Sequence, residues 1–165
     1  MLQIYCENPK KITQNKKQIQ TELKIKIQKK PNEEGVFIID TPAENEFIAN
    51  SFFEAMNLGF SVPKALTLKE ENMDFTKVNI KDHTKRGDLE RVRARIIGTQ
   101  GKVLDTLETL TETYISLHDN SIGIIGPQEN IELAATAVKR LIAGSKHTNV
   151  YASLERQKAL DKQQL

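Results

Sequence analysis

Arg95-Ile96-Ile97-Gly98-Thr99-Gln100-Gly101-Lys102 is the stretch whose reading decides the fold. Two glycines three residues apart follow an apolar pair and lead straight into a helix-like segment. Glycine at both ends lets the backbone turn tightly and approach a ligand with no Cβ in the way. A helix that starts there opens with free amides and a partial positive charge, which suits a phosphate. Plain helix capping also produces Gly-x-x-Gly, so the flanking sequence carries the decision.

Before the loop, Asp88 can cap a helix through Arg91, Val92 and Arg95 to Ile96. After it, Val103, Leu104, Leu107 and Leu110 recur at three- and four-residue spacing, the mark of an amphipathic helix over 102–112. Further out, Phe75, Val78 and Ile80 predict a strand upstream. Tyr114, Ile115 and Leu117 predict another, and residues 122–125 a buried one. Gly126-Pro127 opens a helix with Ile131, Ala134, Ala135, Val138, Leu141 and Ile142 on its apolar face, and Gly144 ends it. A final helix covers 150–164.

The first half carries a similar cycle. Residues 2–6 read as a strand and residues 10–21 as one helix. Leu23, Ile25 and Ile27 alternate with Lys24, Lys26 and Gln28 as a half-buried strand, and residues 36–39 form a buried one. Asp40 or Thr41 supplies the cap and Pro42 the first turn of a helix carrying Phe47, Ile48, Phe52 and Met56. Ser61 caps a shorter helix through Leu68, and residues 69–74 form the linker. Sixteen residues (7–22) separate the first two strands here, against thirty-three (81–113) in the second cycle. That length predicts one helix where the second cycle has two, and no glycine precedes Gly35. The first copy is expected to lack the glycine loop.

Composition bounds the function. The chain has 165 residues, 38% hydrophobic and 28% charged, with a net charge of +2 that hides alternating blocks. Residues 9–30 carry eight lysines against Glu22 alone, whereas residues 103–137 hold six acids and no Lys or Arg. Lys81, Lys85, Arg86, Arg91, Arg93, Arg95 and Lys102 form a basic block abutting the glycine loop, an arrangement that favours a polyanion. No run approaches the roughly 18 apolar residues of a membrane span, and no secretory signal is expected. One cysteine, Cys6, fits a reducing cytoplasm. His83, His118 and His147 are scattered without metal-ligand spacing, and no carboxylate cluster or Ser-His-Asp set points to an enzyme. Asp105 and Glu108 share a helix face and read as solvated. No cofactor is expected.

Strand, helix, Gly-x-x-Gly, helix, strand, strand, helix resembles the type I KH (K-homology) RNA-binding domain, with residues 96–103 similar to its core motif. Residues 57–66 (Asn-Leu-Gly-Phe-Ser-Val-Pro-Lys-Ala-Leu) resemble the segment joining the two KH modules of archaeal and eukaryotic small-subunit ribosome assembly factors. Residues 113–116, 124–126, 147–151 and 154–156 resemble the same family. Its eukaryotic members carry a long N-terminal extension, so the archaeal form is the nearer expectation. The resemblance implies an α+β chain of two tandem type I KH modules, each a three-stranded antiparallel sheet packed against helices. The first (1–72) is expected to be degenerate and to lack the GxxG loop; the second (73–146) keeps it; residues 147–165 form a C-terminal helical tail.

By the same resemblance the chain is a non-enzymatic, cytoplasmic RNA-binding factor. It would bind single-stranded rRNA near the 3′ end of the small-subunit rRNA through the second module. Its candidate partners are the endonuclease that matures that end and the alpha subunit of translation initiation factor two. The implied groove holds about four nucleotides. Gly98, Thr99, Gln100 and Gly101 approach the phosphates, Arg95 and Lys102 add charge, and Ile97 and Val103 form an apolar floor. Ile115, Ser116 and Leu117 meet base edges through main-chain groups. Two alternatives stand beside this reading: a KH-fold scaffold that binds proteins, and a general KH regulator of RNA decay or translation.

Overall fold

The computed structural model describes residues 1–165, which divide into two compact units, Met1–Met73 and Asp74–Leu165. No helix is long and apolar enough to cross a membrane.

The first unit runs β1 (Leu2–Tyr5), α1 (Pro9–Gln14), α2 (Lys16–Leu23), β2 (Lys26–Lys29), β3 (Val36–Asp40), α3 (Ala43–Asn57) and α4 (Val62–Leu66). Its sheet has the order β1-β3-β2, both pairs antiparallel, with Ile27 opposite Ile39 and Ile4 opposite Phe37. One face is covered by helices: Ile12, Ile19, Phe52 and Phe53 are fully buried, the two phenylalanine rings meeting edge to face at 5.1 Å.

Three local expectations are corrected here. The single helix over 10–21 is two, broken at Asn15, whose side-chain amide donates to the Lys11 carbonyl while its backbone sits at φ −108°, ψ 12°. A short Asn side chain that competes with the backbone for its own carbonyls ends α1 in one residue, so sixteen residues do accommodate two helices. Leu23 belongs to α2 rather than to a strand: Lys24 closes that helix in the left-handed region (φ 54°), and β2 starts at Lys26. Neither Asp40 nor Thr41 caps α3. Pro42 itself is the N-cap at φ −59°, ψ 148°, and Glu44 and Glu46 in the first turn complement the helix dipole.

The second unit runs β4 (Met73–Asn79), α5 (Leu89–Ile97), α6 (Lys102–Thr111), β5 (Tyr114–His118), β6 (Ser121–Pro127), α7 (Gln128–Ala143) and α8 (His147–Gln163). The sheet order is β4-β6-β5, with Ile115 opposite Ile124 and Leu117 opposite Ile122. Val78, Ile96, Leu107, Ile115, Ile122, Ile124, Val138 and Leu141 form the core, and Val150 and Leu154 of α8 join it. Only the first turns of α8 are therefore held by burial; Leu160 is 53% exposed.

Both units share the order strand, helix, helix, strand, strand, helix, an α+β arrangement of two three-stranded antiparallel sheets. The correspondence extends to stereochemistry. Lys24 and Glu112 end α2 and α6 with the same left-handed cap, and Pro42 and Pro127 start α3 and α7 with nearly the same dihedrals.

Candidate nucleic-acid interface

Gly98 through Gly101 joins α5 to α6 as one turn whose backbone has three residues at positive φ: Gly98 (73°), Gln100 (55°) and Gly101 (75°). Gly98 closes α5, its amide donating to the Ala94 carbonyl at 2.8 Å. The amide of Gly101 donates to the Gly98 carbonyl and that of Lys102 to Thr99, so the start of α6 is tied into the turn. Thr99 and Gln100 are the exposed tip.

The two glycines answer to different constraints. A Cβ at Gly98 would lie 2.3 Å from Val103 Cγ2 and 2.9 Å from the Val103 nitrogen; one at Gly101 would meet nothing within 4 Å. Gly98 is thus required by packing and by dihedral, Gly101 by dihedral alone. With Gly98 in place Val103 packs against the turn and the core, half-buried, while Ile97 is 37% exposed despite being an isoleucine. Of the residues expected at the loop, Ile97, Thr99, Gln100 and Lys102 are exposed and Val103 is half-buried.

Arg95 is not part of that surface. Its guanidinium donates to the carbonyls of Leu141 and Ser145 at the C-terminus of α7, and its own carbonyl meets His147 Nε2 at 2.9 Å. A planar five-donor group fits the unsatisfied carbonyls of a helix end, so the expected phosphate charge is instead a tie between α5, α7 and the start of α8. Arg93 is likewise engaged, with Asn120 Oδ1 at 2.6 Å, whereas Arg91 is exposed. The basic block beside the loop is narrower than its residue count suggests.

Across from the loop helix pair lies β5, an edge strand. Ile115 is a core residue, 7% exposed, so its side chain forms no wall of a groove. Its N–H points away from β6 and donates to Glu108 Oε1 at 2.7 Å. Alternation along an antiparallel strand then turns the main-chain groups of Ile115 and Leu117 to the outer edge and those of Ser116 toward β6. Of the three residues expected to meet base edges, Leu117 turns its main chain to that outer edge, Ile115 has its carbonyl there with its N–H bonded to Glu108, and Ser116 turns toward β6. Glu108, expected on a solvated face, is the functional candidate that the sequence pattern hides. Its one signal is Gln20, which makes the same bond to Ile27 at 2.7 Å across the same seven-residue separation. No group of three or more His, Cys, Asp or Glu is placed to hold a metal ion.

An α+β unit with a Gly-x-x-Gly turn between two helices, facing the open edge of a three-stranded sheet, defines a KH domain of type I. Residues 73–159 match the family model for the second KH domain of Pno1, described as a eukaryotic-type KH domain (KH domain type I). The KH domain-containing protein MJ0443 of Methanocaldococcus jannaschii is 30% identical over 111 residues, 67% of this chain and 49% of that protein. The RNA-binding protein pno1 of Drosophila melanogaster is 41% identical over 106 residues, 62% of this chain and 44% of that protein. Among solved structures, Dim2p of Pyrococcus horikoshii superposes with a TM-score of 0.82 at 29% identity, covering 94% of this chain and 98% of that one. The a/eIF2alpha-aDim2p-rRNA complex from the same organism matches with a TM-score of 0.83 at 30% identity, covering 96% and 93%. The chain belongs to the Pno1/Dim2 family of KH-domain ribosome-assembly factors. It spans about half the length of the curated relatives it matches.

Proposed function

We propose that the chain is a non-enzymatic RNA-binding factor of small-subunit ribosome assembly, acting in the cytoplasm. Its second unit would hold single-stranded rRNA from the 3′ region of the small-subunit RNA. The observation that carries this reading is the Gly98–Gly101 turn, with no side chain at its closest point and exposed Ile97 beside it. A turn of this kind lets phosphates approach the backbone while bases lie on an apolar floor. Lys102 supplies charge, Val103 completes the floor, and the outer edge of β5 at Leu117 meets the bases. The relatives support the cellular role: one in Schizosaccharomyces pombe is named pre-rRNA-processing protein pno1, and one solved neighbour is in complex with rRNA. That same complex contains a/eIF2alpha, which makes an initiation factor alpha subunit a candidate partner alongside the rRNA 3′-end endonuclease.

The test is a Thr99→Asp, Gln100→Asp double variant. Asp tolerates the left-handed region that Gln100 occupies, so the fold should survive. Two negative charges at the tip should lower affinity for a single-stranded oligonucleotide by at least about tenfold, or ~1.4 kcal/mol. Wild-type affinity in the double variant, with an unchanged melting curve, would overturn the loop assignment.

A second reading, a protein-binding scaffold, draws on the first unit. No glycine precedes Gly35, α1 and α2 meet at one residue, and Lys11 is tied to the Phe60 carbonyl. We read this unit as a degenerate KH module. Capture of partners from lysate that survives nuclease treatment would favour a protein-binding role for it.

A further inference from the structure

The Glu108 carboxylate does more than a strand-edge cap requires. In the first unit a neutral amide fills the same role, since Gln20 Oε1 accepts the N–H of Ile27 at 2.7 Å just as Glu108 Oε1 accepts that of Ile115 at 2.7 Å. One acceptor oxygen is enough for the bond, so the charge at Glu108 and its second oxygen are surplus to it. No hydrogen bond or ion pair within the chain engages that second oxygen. Glu108 is half-buried, fixed by its own bond at the outer edge of β5, where the main chain of Leu117 also faces out. It stands seven residues beyond Gly101, two turns along the same face of α6 and about 10 Å from the loop. A bare carboxylate is a poor neighbour for a polyanion unless a donor faces it. The donors that single-stranded RNA can place there are base amino groups, and a carboxylate accepts well from cytosine N4.

We infer that Glu108 is a specificity-determining residue of the groove. With Oε1 pinned by Ile115, Oε2 accepts from the exocyclic amino group of cytosine or adenine and disfavours uracil, which presents a carbonyl at that edge. This inference rests on the RNA-binding reading of the second unit.

The experiment uses the full chain and three probes, single-stranded rC8, rA8 and rU8, in fluorescence anisotropy at one salt concentration. Wild type should bind rC8 and rA8 at least roughly fivefold more tightly than rU8, the lower end of what one good base contact discriminates. Glu108→Gln keeps an acceptor for Ile115, as Gln20 does for Ile27, and replaces the other oxygen by a donor. The preference should shrink to parity or turn toward rU8 while the melting temperature holds. Because a variant can fail to fold, the contact is also removed from the RNA: rC8 built with pyrimidin-2-one, which lacks the 4-amino group, should bind wild type at least roughly fivefold more weakly than rC8. Equal binding of rC8 and its amino-free analogue, or identical probe ratios in wild type and a folded Glu108→Gln, overturns the inference and leaves the RNA reading intact. No binding of any probe by wild type overturns the RNA reading, and the inference with it.

Discussion

At Gly98 the backbone holds φ 73° and ψ 174° with Val103 pressed against the space a side chain would fill; at Gly101 the φ is 75° and that space is empty. Alanine should separate the two. Gly98→Ala combines an unfavourable dihedral with a clash and should cost about 2–3 kcal/mol. Gly101→Ala meets only the left-handed penalty of about 1 kcal/mol. Midpoints of urea unfolding monitored on the second unit measure both, and equal losses would mean that Val103 yields freely. Cys6 offers a second reading at this scale. Burial pushes its thiol up to about 11 from 9.0. Because the folded value lies above the unfolded one, this contribution is fully present below pH 9 and is lost as pH rises toward 11. The stability of the first unit should therefore fall across that window in the wild type and fall less steeply in Cys6→Ala, checked by chemical unfolding from about pH 8 to about pH 11. Glycine spacing was visible in the sequence because dihedral demands select residue type. The partner of Arg95 was not, since Leu141 and Ser145 meet it through carbonyls that every residue carries.

Among the elements, the junction of α5, α7 and α8 turns on Arg95. Arg95→Met should lower stability by about 1.5–3 kcal/mol, the worth of hydrogen bonds to a charged donor, and leave the salt dependence of RNA binding unchanged. Lys102→Ala should do the reverse, keeping the melting temperature while reducing the slope of log K against log salt by about 0.7, one phosphate contact on a single strand. A salt slope altered by Arg95→Met would return that residue to the RNA surface. Element types in the second unit were legible because apolar spacing there is long and regular, as in α6 and α7. In the first unit the helix break at Asn15 was hidden. Its cause is one side-chain bond to the Lys11 carbonyl, and no glycine or proline marks it.

For the whole molecule, the two units carry separate cores. Residues 74–165 produced alone should unfold in one cooperative transition and keep oligonucleotide affinity within about threefold, or ~0.7 kcal/mol, of the full chain. A loss beyond about tenfold would assign part of the RNA contact to the lysines of residues 9–30. The internal repeat was readable from the strands and from Pro42 and Pro127, but the depth of the correspondence was not. Lys24 and Glu112 share a backbone conformation with no residue identity, as Gln20 and Glu108 share a bond with different side chains. The bonds that Gln20 and Glu108 make also bear on how this chain behaves when crowded. A strand at a sheet's rim with open amides is a template on which another chain can add itself and seed a fibre. Both β2 and β5 stand at such a rim, and each has one of its outward amides already occupied by a side chain from its own helix. One outward amide fewer makes each of these two rims a poorer template for a second copy of the chain, and in the second unit the blocking group is a carboxylate rather than an amide.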